Sequence, residues 1–187
     1  MDAAIRPATV ARFDVKLEIA IRHCTEADLD RLEWFGLFTE HREIIHMAFA
    51  RQRLGEVDML VADLNGFPVG QAWIDFRRTK ADENATLWAV RVLPPLQRHG
   101  IGERLMRAAE LVACERGETS LSLAVERSNP DARRFYERLG YRQIGTCENS
   151  YSYHTPDGHH REIPQSLFLM RKELAPSCAK NSEAGHA

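Results

Sequence analysis

Hydrophobic positions along the chain switch repeatedly between two periods, alternate residues in some stretches and every third or fourth residue in others. Leu17–Arg22 alternates and predicts a first strand. Thr25 and Asp28 form a capping box that opens a helix running to about Trp34, interrupted at Gly36. Ile44, Ile45, Ala48, Phe49 and Gln52 share one side of a second helix ending at Gly55. Met59–Leu64 and Val69–Phe76 are predicted strands joined by Asn65-Gly66, a strong hairpin signal. The polar stretch Arg77–Asn84 predicts a turn.

The centre of the chain changes period abruptly. Thr86–Leu93 is rich in β-branched and aromatic residues and predicts a strand, cut by Pro94-Pro95, which cannot donate to a ladder. Ile101, Leu105, Ala108, Ala109 and Val112 then occupy one face of a helix that stops near Gly117. Gly100 and Gly102 stand at the junction. A helix start leaves backbone N–H groups unpaired at the positive end of the dipole, and glycines let an anion approach them closely. The junction therefore reads as a phosphate seat.

Leu121–Val125 predicts a buried strand. Asn129-Pro130 offers an N-cap with proline at the first helical position, and Ala132, Phe135, Tyr136 and Leu139 continue a helix to Gly140. Tyr141–Thr146 starts another strand, with a continuation through Tyr151 and Tyr153 left open. Thr155–Gly158 is a turn, and Ser166–Arg171 is the last strand. The domain expectation is a flexible arm over 1–16, one α/β domain over 17–174 and a disordered tail over 175–187.

Composition adds mostly exclusions. At 187 residues, 44% hydrophobic and 28% charged, the chain has room for one domain with a sizeable core. A net charge of −2 gives no footprint for nucleic acid, and no basic block suggests a membrane surface. No apolar run approaches the roughly 18 residues of a membrane span. Met1–Arg6 lacks the apolar core of a signal peptide, so the expected location is the cytoplasm. Cys24, Cys114, Cys147 and Cys178 have neither metal-like nor redox-like spacing and read as free thiols. His154, His159 and His160 lack the fourth ligand and spacing of a metal site, so no metal is expected.

Two motifs carry the chemistry. Gln97-x-x-Gly100-x-Gly102 resembles the Q/R-x-x-G-x-G/A signature of the GCN5-related N-acetyltransferase (GNAT) family. Asn129-Pro-Asp-Ala-Arg-Arg-Phe-Tyr-Glu-Arg-Leu-Gly-Tyr141 looks like the family's second motif, N-x-x-A-x-x-x-Y-E-x-x-G-F/Y. The resemblance implies a mixed, mostly antiparallel sheet of six to seven strands, splayed at the fourth and fifth and flanked by about four helices. It also implies acetyl-CoA as co-substrate, with its pantetheine arm along the fourth strand and its pyrophosphate in the glycine turn. Carried onto this chain, the cofactor-binding residues are Val90, Arg91, Val92, Gln97, Arg98, His99, Gly100, Ile101, Gly102 and Asn129. Arg104 and Arg107 add positive charge nearby.

Acetyl transfer requires a neutral amine, although an alkyl amine has a pKa near 10.4. It also requires a donor for the oxyanion, here the Val92 N–H, and a proton for the departing thiolate. Tyr136 matches the family's general acid. Outside the motif it would read as a half-buried tyrosine on an amphipathic helix. The glutamates that relatives carry on the fourth and fifth strands are replaced by Thr86 and Ala124, so no base is assigned. Glu83 and Glu126 read first as surface charges. Glu40, His41, Glu43 and His46 fall in the region that lines the acceptor site in relatives, although each alone reads as an exposed helix residue. Deprotonation through ordered water stays equally open.

The resemblance thus predicts an acetyl-CoA-dependent N-acetyltransferase acting by direct transfer on a small-molecule primary amine, with a homodimer among the expected assemblies. Glu40, Glu43, Asp75, Asp82 and Glu83 would suit a cationic acceptor. The missing strand carboxylate motivates an alternative, a non-catalytic coenzyme A-binding module. ATP binding is disfavoured because no G-K-[ST] follows the glycines.

Overall fold

The computed structural model describes residue 11 and residues 13–77, 84–155 and 157–175. The expected arm over 1–16 falls mostly outside these residues. The tail from residue 176 lies wholly outside them, with Cys178, Asp82, Glu83 and most of the turn between Arg77 and Asn84.

One mixed sheet organises the chain. Its strands are β1 (Ala20–His23), β2 (Val57–Leu64), β3 (Phe67–Asp75), β4 (Ala85–Val92), β5 (Ser120–Glu126), β6 (Arg142–His154) and β7 (His160–Glu173). The sheet is seven-stranded in the order β1-β2-β3-β4-β5-β7-β6. β4 and β5 are parallel, and the other neighbours are antiparallel.

Three α-helices flank it, α1 (Arg42–Arg53), α2 (Ile101–Glu115) and α3 (Pro130–Arg138). The first predicted helix is instead a pair of 3-10 turns, Glu26–Asp28 and Asp30–Glu33. Its capping interaction forms, since Thr25 N–H donates to Asp28 at 2.8 Å. The helix cannot lengthen, because Trp34 and Phe35 adopt φ of 44° and 58°, a left-handed conformation that ends a right-handed helix. Trp34 is held there by its indole N–H, which donates to the Pro68 carbonyl at 2.7 Å. With this segment included, four helical segments flank the sheet, as the motifs implied.

Hydrophobic side chains fill both faces. α2 buries Ile101, Leu105, Met106, Ala109 and Ala113 against Leu60, Ala62, Ile74 and Leu87. On the opposite face Ile45 and Ala48 of α1 pack with Leu32, Met59, Val61 and Trp73. Strand alternation thus sends one set of β4 side chains toward α2 and the other toward α1.

The splay has a local cause. β4 and β5 pair only through Ala85–Leu121, Thr86–Ser122 and Leu87–Leu123. Beyond them the β3–β4 register slips between Gln71 and Trp73, and Ala89 takes φ 52°. Such a bulge bends its strand. β5 meanwhile stays paired with β7 along its whole length. A wedge opens between β4 and β5.

The last two strands are longer than the sequence pattern predicts, pairing from Arg142–Arg171 to His154–His160. Pro164 makes a strand start after it the natural reading. It is accommodated because β5 reaches only to the Glu126–Leu167 pair, so Pro164 has no β5 neighbour to satisfy. The free end of this hairpin reaches back toward the 3-10 turn Thr39–His41, where the Tyr153 hydroxyl donates to Glu40 at 2.9 Å.

Candidate functional site

A cavity of about 790 Å³ occupies the wedge. β4 contributes Val90, Arg91 and Val92, and the following turn contributes Gln97, Arg98, Gly100 and Gly102. α3 and its cap contribute Asn129, Phe135, Tyr136 and Arg138, while Trp34 and Phe38 close the side toward α1. His99 and Ile101 do not line it. Ile101 belongs to the core, and both border a separate groove with Lys16–Ile19.

The β4 edge presents backbone to this cavity. The Leu93 N–H is given to the Val69 carbonyl on β3 at 2.8 Å. Ladder alternation therefore turns the N–H and C=O of Val92 to the open side, where β5 has diverged. The carbonyl is taken by Gln97, whose Nε2 donates to it at 3.0 Å. Gln97 thus meets the cavity and also ties the turn to the strand.

The glycine turn is shaped for close approach. Arg98 and Gly100 both have positive φ, 65° and 79°, and Gly100 is the residue from which α2 starts. A Cβ on Gly102 would lie 3.4 Å from Phe135 Cζ and 3.7 Å from Val92 Cγ2. The first amides of a 15-residue helix, with Arg98 and Arg138 beside the cavity, suit a phosphate group. Arg107 pairs with Glu103 on the exposed side of α2, and Arg104 borders the separate groove.

α3 supplies the proton-bearing group. Asn129 caps the helix by accepting from the Ala132 N–H at 3.0 Å while lining the cavity, so its two expected roles are compatible. Tyr136 is 9% exposed, and burial pushes its phenol up to about 12. Among the described residues no group hydrogen-bonds to its hydroxyl. It is a neutral donor facing a cavity.

The side toward α1 holds Arg91, which the resemblance set among the cofactor-binding residues, together with Phe38, His41 and Tyr153. The Arg91 guanidinium lies 4.2 Å from the centroid of Phe38. Phe38 meets His41 at 5.9 Å, and His41 stacks on Tyr153 at 5.0 Å. Burial, then the charge of Arg91, lowers the pKa of His41 below the usual histidine value, favouring neutral imidazole. Tyr151 and Tyr153 share one face of β6, an alternation visible in the sequence. What brings them to His41 is the reach of the hairpin.

Among the described residues, the expected carboxylates Glu40, Glu43 and Asp75 do not line the cavity. Thr86 sits in the closed part of the β4–β5 pairing, and Ala124 lies just beyond it. Asp75 is paired with Arg51 at 2.7 Å, and Glu43 lies 3.5 Å from His154. Among the described residues no cysteine lines the cavity, and no three metal-binding side chains cluster.

A splayed sheet whose strand edge, helix start and buried tyrosine converge in this way defines a class, and comparison with known proteins gives the same one. The profile of the acetyltransferase (GNAT) family matches residues 23–141. The chain belongs to this family of N-acetyltransferases. It is 37% identical over 93 residues to the [ribosomal protein bS18]-alanine N-acetyltransferase of Haemophilus ducreyi, a match covering 49% of this chain and 62% of that relative. It is 31% identical over 119 residues to the N-acetyltransferase YhfO of Bacillus subtilis, covering 57% of this chain and 80% of that one. Among solved structures, the ribosomal-protein-alanine N-acetyltransferase of Brucella melitensis superposes with a TM-score of 0.65 at 25% identity, over 83% of this chain and 99% of that one. PaiA N-acetyltransferase of Thermoplasma acidophilum, solved with coenzyme A, shares the fold with a TM-score of 0.64 at 18% identity, over 84% and 99%.

GNAT enzymes use acetyl-CoA. The open Val92 backbone, the cradle over Gly102 and the free helix start fit such a group. No helix among the described residues is long and apolar enough to cross a membrane.

Proposed function

We propose that the protein transfers the acetyl group of acetyl-CoA directly to a primary amine of a small-molecule acceptor. The observation that carries this reading is the convergence of the Val92 N–H, the α2 start and the Tyr136 hydroxyl on one cavity. The Val92 N–H donates to the thioester oxygen as it gains charge, a fixed dipole aimed where charge develops. Tyr136, uncharged because it is buried, gives its proton to the departing sulfur. His41, on the acceptor side, takes the amine proton directly or through water. The absence of a cysteine from the cavity wall favours direct transfer over an acyl-enzyme.

The Haemophilus relative is named for a protein alanine, so a peptide amine is the natural comparator. Purified protein with acetyl-CoA, an amine panel and an alanine-initiated peptide should release coenzyme A thiol with a small amine. Preference for the peptide would move the acceptor class to proteins. Tight acetyl-CoA binding with no turnover on any amine would instead support a non-catalytic binding module.

A further inference from the structure

Arg91 carries a positive charge that no carboxylate among the described residues matches. Other arginines hold carboxylates: Arg22 meets Asp28 at 2.6 Å, Arg51 meets Asp75 at 2.7 Å and Arg116 meets Asp58 at 3.0 Å. Among the described residues nothing hydrogen-bonds to or ion-pairs with Arg91. A guanidinium withdrawn from water without a partner is costly.

Its position assigns that charge to the acceptor side. Val92 faces α2, its Cγ2 beside Gly102, so alternation sends the neighbouring Arg91 side chain to the α1 face, where it lies over Phe38. Gln71 is directly opposite Arg91 on β3 and shares that face. The same face holds further unmatched polar atoms, all buried: Gln71 Oε1, Trp88 Nε1 and His41 Nδ1. Nearby carboxylates are committed elsewhere, Glu40 to the Tyr153 hydroxyl and Glu33 to Arg42 and Thr39. None is left for Arg91.

We propose that the acceptor is an amino-carboxylate, an amino acid or close analogue, whose carboxylate is bound by Arg91 while its amine faces the acyl group. This rests on the acetyltransferase reading given above. With its Cζ 4.2 Å from the Phe38 centroid, the guanidinium keeps a planar N–H fork able to meet a carboxylate at two points. Arg91 and Val92 are consecutive and line one cavity. The bound carboxylate and the reacting amine are therefore only a few bonds apart, as in one small molecule. The amine nitrogen bonds to the acyl carbon, the carbon–sulfur bond breaks, and the proton lost by the amine is balanced by the one gained by the thiolate. The products are an N-acetyl amino acid and coenzyme A. The assignment reverses the cationic acceptor expected from the acidic residues.

The test compares matched acceptors: leucine with leucinamide, phenylalanine with phenylalaninamide and β-alanine with β-alaninamide, plus phosphoethanolamine. Coenzyme A release is followed with wild type, Arg91→Gln and Arg91→Lys. In wild type at least one carboxylate member should exceed its amide by about tenfold or more in kcat/KM, the worth of a charged hydrogen bond. Arg91→Gln should flatten that ratio toward one, and Arg91→Lys should restore part of it. A ratio near one in wild type, or one unchanged in Arg91→Gln, overturns the proposal; a preference for phosphoethanolamine reassigns the pocket to phosphate and also overturns it. Calorimetry of N-acetylleucine and N-acetylphenylalanine against the protein, with and without coenzyme A, reads the site without turnover. Carboxylate binding abolished by Arg91→Gln in a protein that acetylates nothing would sink the enzymatic reading and keep the anion site. Turnover of amines with no such binding and no carboxylate preference would do the reverse.

Discussion

The Gln97 side chain donates to the Val92 carbonyl at 3.0 Å, so the glycine turn is tied to the last residue of β4. The bond sets where the start of α2 stands relative to the strand edge. A neutral hydrogen bond contributes about 1 kcal/mol. Gln97→Ala should weaken acetyl-CoA binding by about three- to tenfold in calorimetry, with little change in Tm because the bond is exposed.

Gly102 tests the cradle by size. Alanine would meet Phe135 at 3.4 Å, an ordinary contact, whereas valine adds methyls toward Phe135 or Val92. Gly102→Ala should therefore keep most acetyl-CoA affinity and Gly102→Val should lose it, as read by thermal shift with ligand. Gly100→Ala fails for a different reason. No atom lies within 4 Å of its added Cβ, but φ of 79° penalises any side chain. About 1 kcal/mol of stability should go with it.

Tyr136→Phe removes a hydroxyl that has no hydrogen-bond partner among the described residues, so the change strands no partner group there. Tm should hold while kcat falls by about 100-fold or more, the usual worth of general acid catalysis. With the phenol pushed up to about 12, wild type should show no falling limb from this residue at or below pH 10. Unchanged kcat in the phenylalanine variant would remove Tyr136 from the proton path.

In the proposed mechanism His41 supplies the rising limb of the pH profile. Its pKa is lowered chiefly by burial, so it is neutral above the ordinary histidine range near 6.5 and takes up a proton only as pH falls below it. kcat/KM should decline toward acid pH, and His41→Gln should lower the plateau and move or erase that limb. A variant with the same limb would assign it to the amine itself.

Asp28 governs acid stability. Burial alone would raise its carboxyl, but hydrogen bonds from Arg22 and Thr25 outweigh it and hold the group at about 2. The folded value lies below the unfolded value of about 3.9, so the contribution is present above that pH and lost as pH falls through the folded one. It amounts to roughly 2 kcal/mol at neutral pH. Asp28→Asn should lower stability at pH 7 and flatten the acid limb of a denaturation series between about pH 4 and 2.

The strands β2 to β5, helices α2 and α3 and the two family motifs were legible because they depend on local periodicity and on short spacings. The glycines, Asn129 and Tyr136 announce themselves at fixed spacings. The helix expected over Thr25–Trp34 failed because Trp34 is bound to a carbonyl on β3, a contact from across the sheet that overrides the capping signal. The sequence pattern left the run of β6 through Tyr151 and Tyr153 open and started the last strand only at Ser166, because Pro164 argues against a strand unless its missing neighbour is known. His41 read as a surface residue, and only the returning hairpin half-buries it.

The sequence by itself therefore determined the fold class and the family, since the motifs that carry them are written in residues close along the chain. The tertiary structure decided the acceptor side. Arg91, Phe38, His41 and Tyr153 come from separate segments, and no spacing relates them. They meet because a bulge at Ala89 opens the sheet and a hairpin from its far end folds across the opening. Whether an arginine finds a carboxylate depends on three-dimensional neighbours, and among the described residues Arg91 finds none.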